Sequence, residues 1–312
     1  MTSSAIAVSG LRKSYGDKVV LDGIDFEVAA GSVFSMLGPN GAGKTTTVNI
    51  LTTLMKADTG TVRVGGHDVA SGTKQVRSVI GVTGQFAAVD ELLTGRENLQ
   101  LVADLKRVRP GEGLVDRLLE RFDLVESARK MVATYSGGMR RKLDLAMTLV
   151  GSPQIIFLDE PTTGLDPRSR RTMWEIVRDL VAEGTTIFLT TQYLEEADQL
   201  ADRIAVLDQG RIVAQGTAEE LKRQVPGTHV RLRFTTLADL DTAGRILPGG
   251  AREEQELSLR VPSDGRSKSL RDMLDRLDEH AVNAEEFSVH TPDLDDVFLA
   301  LTGHASTEEK AS

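Results

Sequence analysis

Short apolar runs and helical stretches alternate along the first two thirds of the chain. The runs are rich in Val, Ile, Leu and Phe without strict alternation of apolar and polar positions, which indicates strands buried on both faces. They cover residues 32–37, 154–159, 186–191 and 203–208. Because helical segments separate these strands, the pattern predicts an α/β fold with a mostly parallel, doubly wound sheet.

A helical insertion, or helical subdomain, is predicted between the first two of these strands, over about residues 86–150. Thr94 and Glu97 have the spacing of a capping box, so one helix is expected to begin after Thr94. Ser136 is a candidate N-cap for a later helix. The apolar face of that later helix contains Leu143, Met147 and Val150.

The last part of the chain repeats the pattern on a smaller scale. A proline and a glycine interrupt it within residues 225–228, so we predict one domain at residues 1–224 and a second at 225–302. In the second domain, apolar residues alternate with polar ones over residues 230–234 and 257–261, which predicts two strands. A helix is predicted from an apolar stripe that consists of Leu270, Met273, Leu274 and Leu277. We expect a small α+β domain, followed by a disordered tail at residues 303–312.

Composition and charge narrow the functional classes. The 312 residues carry a formal net charge of −9, which disfavours a broad basic surface for nucleic acid. The absence of cysteine excludes disulfides and thiol catalysis and is typical of a reducing cytosol. No apolar run approaches the roughly 18 residues that span a bilayer, and the first residues lack the basic region of a signal peptide. We expect a soluble cytosolic protein that is still able to dock on a membrane protein.

Residues 38–46, GPNGAGKTT, have the chemistry of a phosphate-binding loop. They follow the first predicted strand and match the pattern G-x-x-x-x-G-K-[ST]. The loop consists of Gly38, Pro39, Asn40, Gly41, Ala42, Gly43, Lys44, Thr45 and Thr46. Its glycines let backbone N–H groups turn toward phosphate oxygens, and the helix that follows adds partial positive charge. Lys44 is expected to contact the β- and γ-phosphates, and the Thr45 hydroxyl to ligate Mg²⁺.

Acidic and amide side chains follow two further predicted strands. Asp159 is expected to hold Mg²⁺, and Glu160 is a candidate general base for an attacking water. Gln192 has an amide that can donate a hydrogen bond to a phosphate oxygen but cannot accept a proton, so we predict a positioning role for it. Ligands gather at the carboxyl ends of parallel strands, and Gly38, Asp159 and Gln192 are therefore expected to form one site.

The stretch YSGGMRRKLDLA at residues 135–146 resembles the signature of ATP-binding cassette proteins. The resemblance extends over essentially residues 5–220 and implies a P-loop ATPase in which two copies pack head to tail. It also implies that three residues of one copy close over the γ-phosphate bound to the other copy. These three residues are Ser136, Gly137 and Gly138.

Three further residues match the family in its order along the chain. Tyr15 lies where an aromatic side chain stacks on adenine, and Gln85 lies where a glutamine contacts Mg²⁺ and senses the membrane partner. Asp166, within GLDP, lies where a loop crosses between the subunits. The choice of ATP over GTP rests on the resemblance, although the N-K-x-D motif that reads guanine is absent from the sequence.

Two motifs depart from the family pattern. The signature is usually L-S-G-G-Q, whereas Tyr135 and Met139 flank the glycines here, and Met139 cannot donate the hydrogen bonds of an amide. Gln192 stands where most members have a histidine that contacts the γ-phosphate. Together with residues 166–170 and 190–204, these departures resemble the daunorubicin/doxorubicin-resistance group of bacterial export ATPases.

Two segments allow more than one interpretation. PDLDDVFLALTG, at residues 292–303, is similar to the segment that closes the regulatory domain of that group. It is equally readable as a routine amphipathic helix whose Val297, Phe298 and Leu301 fill a core. The basic residues 139–142 could bind an anion, but a solvated helix face is the favoured interpretation.

The resemblance implies the ATP-binding and ATP-hydrolysing subunit of a bacterial export complex at the cytoplasmic face of the cell membrane. ATP-driven dimer closure is expected to move a hydrophobic drug, natural product or lipid. The implied partners are a separately encoded transmembrane permease and a second copy of this chain, and the implied cofactors are ATP and Mg²⁺.

Two alternatives come from other classes of protein. The departures at Met139 and Gln192 are compatible with an ATP-switched binding or gating module that has little turnover, which a turnover measurement would reveal. A nucleic-acid-acting cassette ATPase is disfavoured, because the short segment between Thr45 and Asp159 has no room for a long coiled coil and the charge is acidic. We therefore predict no nucleic-acid partner.

Overall fold

The computed structural model describes residues 4–108, 113–225, 227–264, 266–290 and 292–302. These residues form two compact units that divide between Ala218 and Glu219. The sequence pattern had placed the boundary slightly later, between residues 224 and 225. Pro226 and the tail predicted at 303–312 lie outside the described residues.

The first unit is built on a six-stranded sheet. In spatial order its strands are β10 (Arg211–Gly216), β9 (Arg203–Asp208), β3 (Val33–Leu37), β8 (Thr186–Thr191), β7 (Ile155–Asp159) and β6 (Ile80–Thr83). Neighbouring strands are parallel except for the edge pair of β9 and β10. Every residue of β3, β7 and β8 is buried. The prediction of a mostly parallel sheet that is covered on both faces is confirmed.

Two apolar layers cover this sheet, because successive side chains of a strand point to opposite faces. Ile156 and Leu158 of β7 belong to the layer that includes the helical insertion. Phe157 belongs to the other layer, where its ring centroid lies 5.5 Å from that of Phe188, and Phe188 lies 5.6 Å from Phe34. This packing fixes the relative positions of β3, β7 and β8, whose carboxyl ends carry the predicted site.

A second sheet was not predicted from the sequence pattern. It is antiparallel, and in spatial order its strands are β2 (Lys18–Ala29), β1 (Ser4–Tyr15), β4 (Thr59–Val64) and β5 (His67–Asp68). The long pairing of β1 with β2 contains several register shifts, so the apolar positions do not alternate regularly along either strand. Tyr15 is the last residue of β1 and therefore lies at the turn of this hairpin.

Helices flank the sheets and form the insertion. They are α1 (Lys44–Leu51), α2 (Thr73–Val79), α3 (Gly95–Leu105), α4 (Leu114–Arg121), α5 (Gly137–Thr148), α6 (Pro167–Ala182), α7 (Leu194–Leu200) and α8 (Ala218–Lys222). Two predicted N-caps are confirmed: Thr94 forms a capping box with Glu97 at the start of α3, and Ser136 caps α5. Among the described residues, no helix is both long enough and apolar enough to cross a membrane.

The described residues of the second unit form an antiparallel sheet with helices. In spatial order the strands are β12 (Ala251–Glu253), β13 (Ser258–Pro262), β11 (His229–Arg233) and β14 (Glu286–His290), and the helices are α9 (Leu237–Ile246), α10 (Ser267–Glu279) and α11 (Leu294–Thr302). The two predicted strands correspond to β11 and β13, each shifted by one residue. The predicted stripe lies on α10, where Met273 and Leu277 are buried but Leu274 is 40% exposed. The α+β class of this unit is confirmed.

Candidate functional site

The segment from Gly38 to Gly43 connects β3 to α1 and packs tightly against neighbouring residues. A Cβ on Gly43, whose φ is 114°, would lie 2.6 Å from Leu21 Cδ2. A Cβ on Gly38 would overlap the carbonyl oxygen of Leu207. Both glycines of the predicted motif are therefore required by their surroundings, because a larger residue at either position would displace the loop.

Lys44 begins α1 and turns its ammonium group back into this loop. Its Nζ donates to the carbonyl oxygens of Gly38 at 2.7 Å and Pro39 at 3.1 Å, and it lies 3.3 Å from Glu160 Oε1. Burial lowers the pKa of Lys44, and the carboxylate of Glu160 opposes that shift. A cation held within a glycine-rich loop at a helix start is suited to bind a chain of phosphates.

The predicted acidic pair lies at the end of β7, beside β8. Thr190 Oγ1 donates to Asp159 Oδ1 at 2.5 Å, and the backbone N–H of Glu160 donates to the carbonyl oxygen of Thr190 at 3.1 Å. Asp159 is 4% exposed and Glu160 is 7% exposed. Glu160 has a φ of 49°, a left-handed conformation that is uncommon for residues with a Cβ. The surrounding hydrogen bonds hold Glu160 in a conformation that an isolated chain disfavours.

Gln192 follows β8 at the same edge of the sheet. β8 pairs with β3 on one side and with β7 on the other. The backbone N–H of Gly38 donates to the carbonyl oxygen of Thr191 at 3.2 Å, so the half-buried Gln192 lies next to the start of the phosphate loop. The common edge predicted for Gly38, Asp159 and Gln192 is present.

A buried acidic residue on α7 was missed by sequence reasoning. Glu196 is fully buried, and its Oε1 accepts hydrogen bonds from Thr162 Oγ1 at 2.9 Å and Trp174 Nε1 at 3.1 Å. Burial raises the pKa of Glu196, and these hydrogen bonds oppose the rise. Thr162 follows Glu160 by two residues, so the network supports the loop after β7. The available signal was the i,i+4 spacing of Glu196 and Leu200 on an apolar helix face.

The solvated helix face expected for residues 139–142 is wrong for Arg141. Arg140 and Lys142 are partly exposed, but Arg141 is only 6% exposed and lies on the buried face of α5. Its guanidinium donates to the backbone carbonyl oxygens of Gly84, Asp159 and Pro161. Arg141 is buried because these strand-end carbonyl groups provide acceptors for its fork of donors.

Tyr15 and Gln85 are both accessible to solvent. Tyr15 is 49% exposed, and its hydroxyl donates to Met55 Sδ at 2.9 Å. The Nζ of Lys13 lies 5.8 Å from the centroid of the Tyr15 ring. Gln85 is exposed and follows β6, the neighbour of β7, which places it near the strand end that carries Asp159. The Tyr15 ring is accessible for stacking.

Ser136 and Asp166 belong to a second group of predicted site residues. Ser136 Oγ accepts a hydrogen bond from the N–H of Met139 at 3.3 Å, and Asp166 Oδ1 accepts two at 3.0 Å from the first turn of α6. A hydrogen bond from the Ser169 hydroxyl is the main cause that lowers the pKa of Asp166. A Cβ on Gly138 would lie 2.6 Å from Ser169 Oγ. The starts of α5 and α6 are therefore in close contact.

The predicted site residues thus form two groups. The first consists of residues 38–46, Asp159, Glu160 and Gln192, and the second consists of residues 136–138 and Asp166. Within the part of the chain that the structure describes, no hydrogen bond or ion pair joins residues 136–138 to residues 38–46. The first group is arranged to bind a phosphate chain, and the second is arranged around two helix starts.

Comparison with known proteins agrees with this chemistry. The model of the ABC transporter family matches residues 21–163. A daunorubicin resistance ATP-binding protein of Streptomyces coeruleorubidus is 50% identical over 97% of this chain and 97% of its own length. A doxorubicin resistance ATP-binding protein of Mycobacterium tuberculosis is 44% identical over 96% of this chain and 93% of its own. A Nod factor export ATP-binding protein of Ralstonia nicotianae is 37% identical, with coverages of 96% and 94%.

Solved structures share the fold of the first unit. An ATP-binding subunit of an ABC transporter is 29% identical, with a TM-score of 0.63 and coverage of 70% of this chain and 92% of its own. The ADP conformation of an ATP-binding cassette of an ABC transporter is 26% identical, with a TM-score of 0.64 and coverages of 70% and 93%.

Fold and site together define a P-loop nucleotide hydrolase. The relatives show more than this class: the chain belongs to the ABC transporter family, within the daunorubicin/doxorubicin-resistance export group, as its motifs predicted. It binds and hydrolyses ATP as the ATP-binding subunit of an export system.

Proposed function

We propose that this chain couples ATP-driven dimer closure to the efflux of a hydrophobic drug, natural product or lipid through a separately encoded membrane protein. The names of its relatives, which refer to daunorubicin resistance, doxorubicin resistance and Nod factor export, support this substrate class. The observation that carries the dimeric mechanism is the division of the site residues into two groups. Residues 136–138 pack beside α6 and not on the phosphate loop of their own chain.

The first group of residues fits Mg²⁺ and ATP. Residues 38–46 surround the phosphates, and Lys44 contacts the β- and γ-phosphates. Thr45 is exposed at the start of α1 and, with Asp159 and Gln85, supplies the oxygen ligands that Mg²⁺ prefers. In the described ranges, no cluster of three or more His, Cys, Asp or Glu side chains could hold a metal by itself.

Glu160 and Gln192 have different roles in this proposal. The Glu160 carboxylate orients the attacking water and accepts its proton, a contribution of about 10²–10⁴ in rate. The Gln192 amide donates to the γ-phosphate and keeps it in line with the water. Tyr15 stacks on adenine and fixes the nucleoside. When bound by Thr45, Gln85 and Asp159, Mg²⁺ would neutralise the charge that develops on the phosphates.

Replacement of Gln192 tests its positioning role. We expect Gln192→Ala to lower kcat about tenfold or more, because a hydrogen bond to a charged group contributes roughly 1.5–3 kcal/mol. Gln192→His retains a donor and should preserve or raise turnover. Steady-state phosphate release is the measurement. If Gln192→Ala left both ATP affinity and turnover unchanged, Gln192 would be a strand-end polar residue with no part in the reaction.

Dimer closure brings the second group of residues onto the nucleotide of the other copy. The Ser136 hydroxyl and the N–H groups of Gly137 and Gly138, at the start of α5, contact the γ-phosphate there. Ser136 Oγ accepts one hydrogen bond within its own chain, which leaves its proton available for the phosphate. Asp166 crosses between the subunits. Because Met139 offers no side-chain N–H group, closure depends on Ser136 and the two glycines.

The start of the helical insertion carries apolar side chains suited to contact with the membrane protein. Phe86 is 84% exposed and Leu92 is 80% exposed. In the proposed complex the membrane protein covers these two exposed side chains. Phe86 directly follows Gln85, so docking at Phe86 acts close to the Mg²⁺ site. This contact holds the chain at the cytoplasmic face of the membrane.

For the second unit we propose a regulatory or accessory role.

Transport of daunorubicin tests the export function. The chain is purified with its membrane protein and reconstituted into vesicles with the nucleotide site outside. We expect daunorubicin to accumulate inside only with Mg²⁺ and ATP, and to stimulate ATP turnover. The same complex carrying Lys44→Ala should accumulate none, because it cannot bind the phosphates. ATP turnover that neither requires a bound membrane protein nor moves daunorubicin would contradict the proposed function.

A further inference from the structure

The side chain of Arg141 is the centre of a buried hydrogen-bond network beneath the nucleotide site. Its Nε donates to the carbonyl oxygen of Pro161 at 2.9 Å, and its Nη2 donates to that of Asp159 at 3.1 Å. Its Nη1 donates to the carbonyl oxygen of Gly84 at 2.6 Å. One guanidinium therefore binds backbone groups of two separate segments, and α5 supplies the side chain.

Two of these acceptors lie directly on either side of Glu160. Glu160 has the left-handed conformation, which is strained for a residue with a Cβ and is maintained here by its surroundings. Arg141 holds the carbonyl groups of Asp159 and Pro161, while the N–H of Glu160 is held by Thr190 at 3.1 Å. Arg141 therefore holds the carbonyl groups on both sides of Glu160, in addition to the pairing of β7 with β8.

The other side of the network reaches residues 84–88, the segment that contains Gln85. Arg141 binds the carbonyl of Gly84 and forms an ion pair with Asp144 at 3.4 Å. Asp144 Oδ1 in turn accepts a hydrogen bond from the N–H of Ala88 at 3.1 Å. The Arg141–Asp144 pair therefore holds both ends of this short segment.

Burial imposes a desolvation penalty on both charged groups of this ion pair. Arg141 is 6% exposed and Asp144 is 3% exposed. Burial raises the pKa of Asp144 to about 6 despite the charge of Arg141, and it lowers the pKa of Arg141. A buried pair of this kind contributes little net stability compared with apolar side chains of similar volume. Its geometry is more informative, because the hydrogen bonds of the Arg141 guanidinium go to three backbone carbonyl groups and to Asp144.

We propose that Arg141 is a positioning residue that fixes the backbone of Glu160 for catalysis and ties it to residues 84–88. The proposal deepens the function proposed above and rests on the base role of Glu160. A displacement of residues 84–88 by the membrane protein changes the position of the Arg141 guanidinium, and that change reaches Glu160 through the two flanking carbonyl groups.

Arg141→Lys tests the positioning role, because lysine keeps the charge and loses the rigid fork of donors. We expect kcat to fall about tenfold or more while the KM for ATP changes less than about threefold, since Arg141 acts on Glu160 and not on the nucleotide. Arg140→Lys is the matched control. Arg140 lies on the same helix and also donates to backbone carbonyl oxygens, but to those of Val132 and Ala133. The kcat of the Arg140→Lys variant should therefore stay within about twofold of that of the unsubstituted chain.

A double mutant separates action through Glu160 from general destabilisation. In a Glu160→Gln background, Arg141→Lys should lower the residual turnover no further, because the group it positions is already lost. Additive losses, or an Arg141→Lys variant with unchanged kcat, would overturn the proposal. If Arg141→Lys does not fold, as judged by circular dichroism, Arg141→Gln replaces it under the same two criteria. Normal turnover in the Glu160→Gln single variant would refute the base role of Glu160. Because Arg141 is unsubstituted in that variant, this result does not depend on the role of Arg141.

The link to residues 84–88 has its own measurement in the complex with the membrane protein. Arg141→Lys should bring the ratio of daunorubicin-stimulated to basal ATP turnover toward one, whereas Arg140→Lys should retain the full ratio. A stimulation ratio that Arg141→Lys leaves unchanged would overturn the link.

Discussion

The Glu160→Gln variant is expected to lose about 10²- to 10⁴-fold in kcat while it retains binding of ATP. Glutamine has nearly the same shape as glutamate, but its amide cannot accept the proton of the attacking water. Lys44 keeps its hydrogen bonds to the carbonyl oxygens of Gly38 and Pro39, so the phosphate loop retains its cation. Single-turnover phosphate release, together with direct measurement of ATP binding, separates the chemical step from affinity.

Glu183→Gln is a suitable control for the loss of one negative charge. Glu183 follows α6 and forms an exposed ion pair with Arg121 at 2.9 Å, a contact that typically has little effect on stability. The Glu183→Gln variant should have the same kcat as the unsubstituted chain. Turnover of Glu160→Gln at the rate of the unsubstituted chain would show that another group activates the water.

Lys44→Ala is expected to weaken ATP binding by about 100-fold or more and to abolish measurable hydrolysis. The ammonium group supplies charge-assisted hydrogen bonds to the phosphates within a buried loop, where each contributes roughly 1.5–3 kcal/mol. Removal of Lys44 also leaves Glu160 buried without its cation, 3.3 Å away, so the variant is expected to be less stable. Titration with a fluorescent ATP analogue, performed on protein verified as folded, is the measurement.

Lys106→Ala separates the loss of stability from the loss of binding. Lys106 is likewise a partly buried lysine, and it donates to the carbonyl oxygens of Thr148 and Val150 within the helical insertion. Burial lowers its pKa, as it does that of Lys44. Its removal should lower the melting temperature and leave ATP affinity unchanged. Equal loss of affinity in both variants would mean that Lys44 acts through stability and not through the phosphates.

Local sequence signals predicted the phosphate loop and several helix starts. Residues 38–46 follow β3 and include the first turn of α1, as the motif requires, and Thr94 and Ser136 cap α3 and α5. These features depend on residues that are close together in the chain. The common edge of Asp159 and Gln192 could also be predicted, because parallel strands place their carboxyl ends side by side.

Features that depend on distant residues could not be predicted in the same way. The sheet of β1, β2, β4 and β5 joins segments at the start of the chain to segments beyond α1, and its register shifts remove regular alternation. Arg141 lies in a basic run typical of a solvated helix face, yet its backbone acceptors lie between 18 and 57 residues away. Glu196 is similar, since its donor Thr162 lies 34 residues earlier. Burial of such charged residues follows from tertiary partners that a sequence pattern does not contain.

The central claim of this account is that two copies of the chain share each nucleotide, with residues 38–46 from one copy and residues 136–138 from the other. The solution mass of the Glu160→Gln variant tests it most directly, because ATP bound to this variant is not consumed. Without nucleotide, light scattering should give the mass of one chain, and with saturating Mg²⁺ and ATP it should give the mass of two. The mass of a single chain at ATP concentrations that fill the site would contradict the claim.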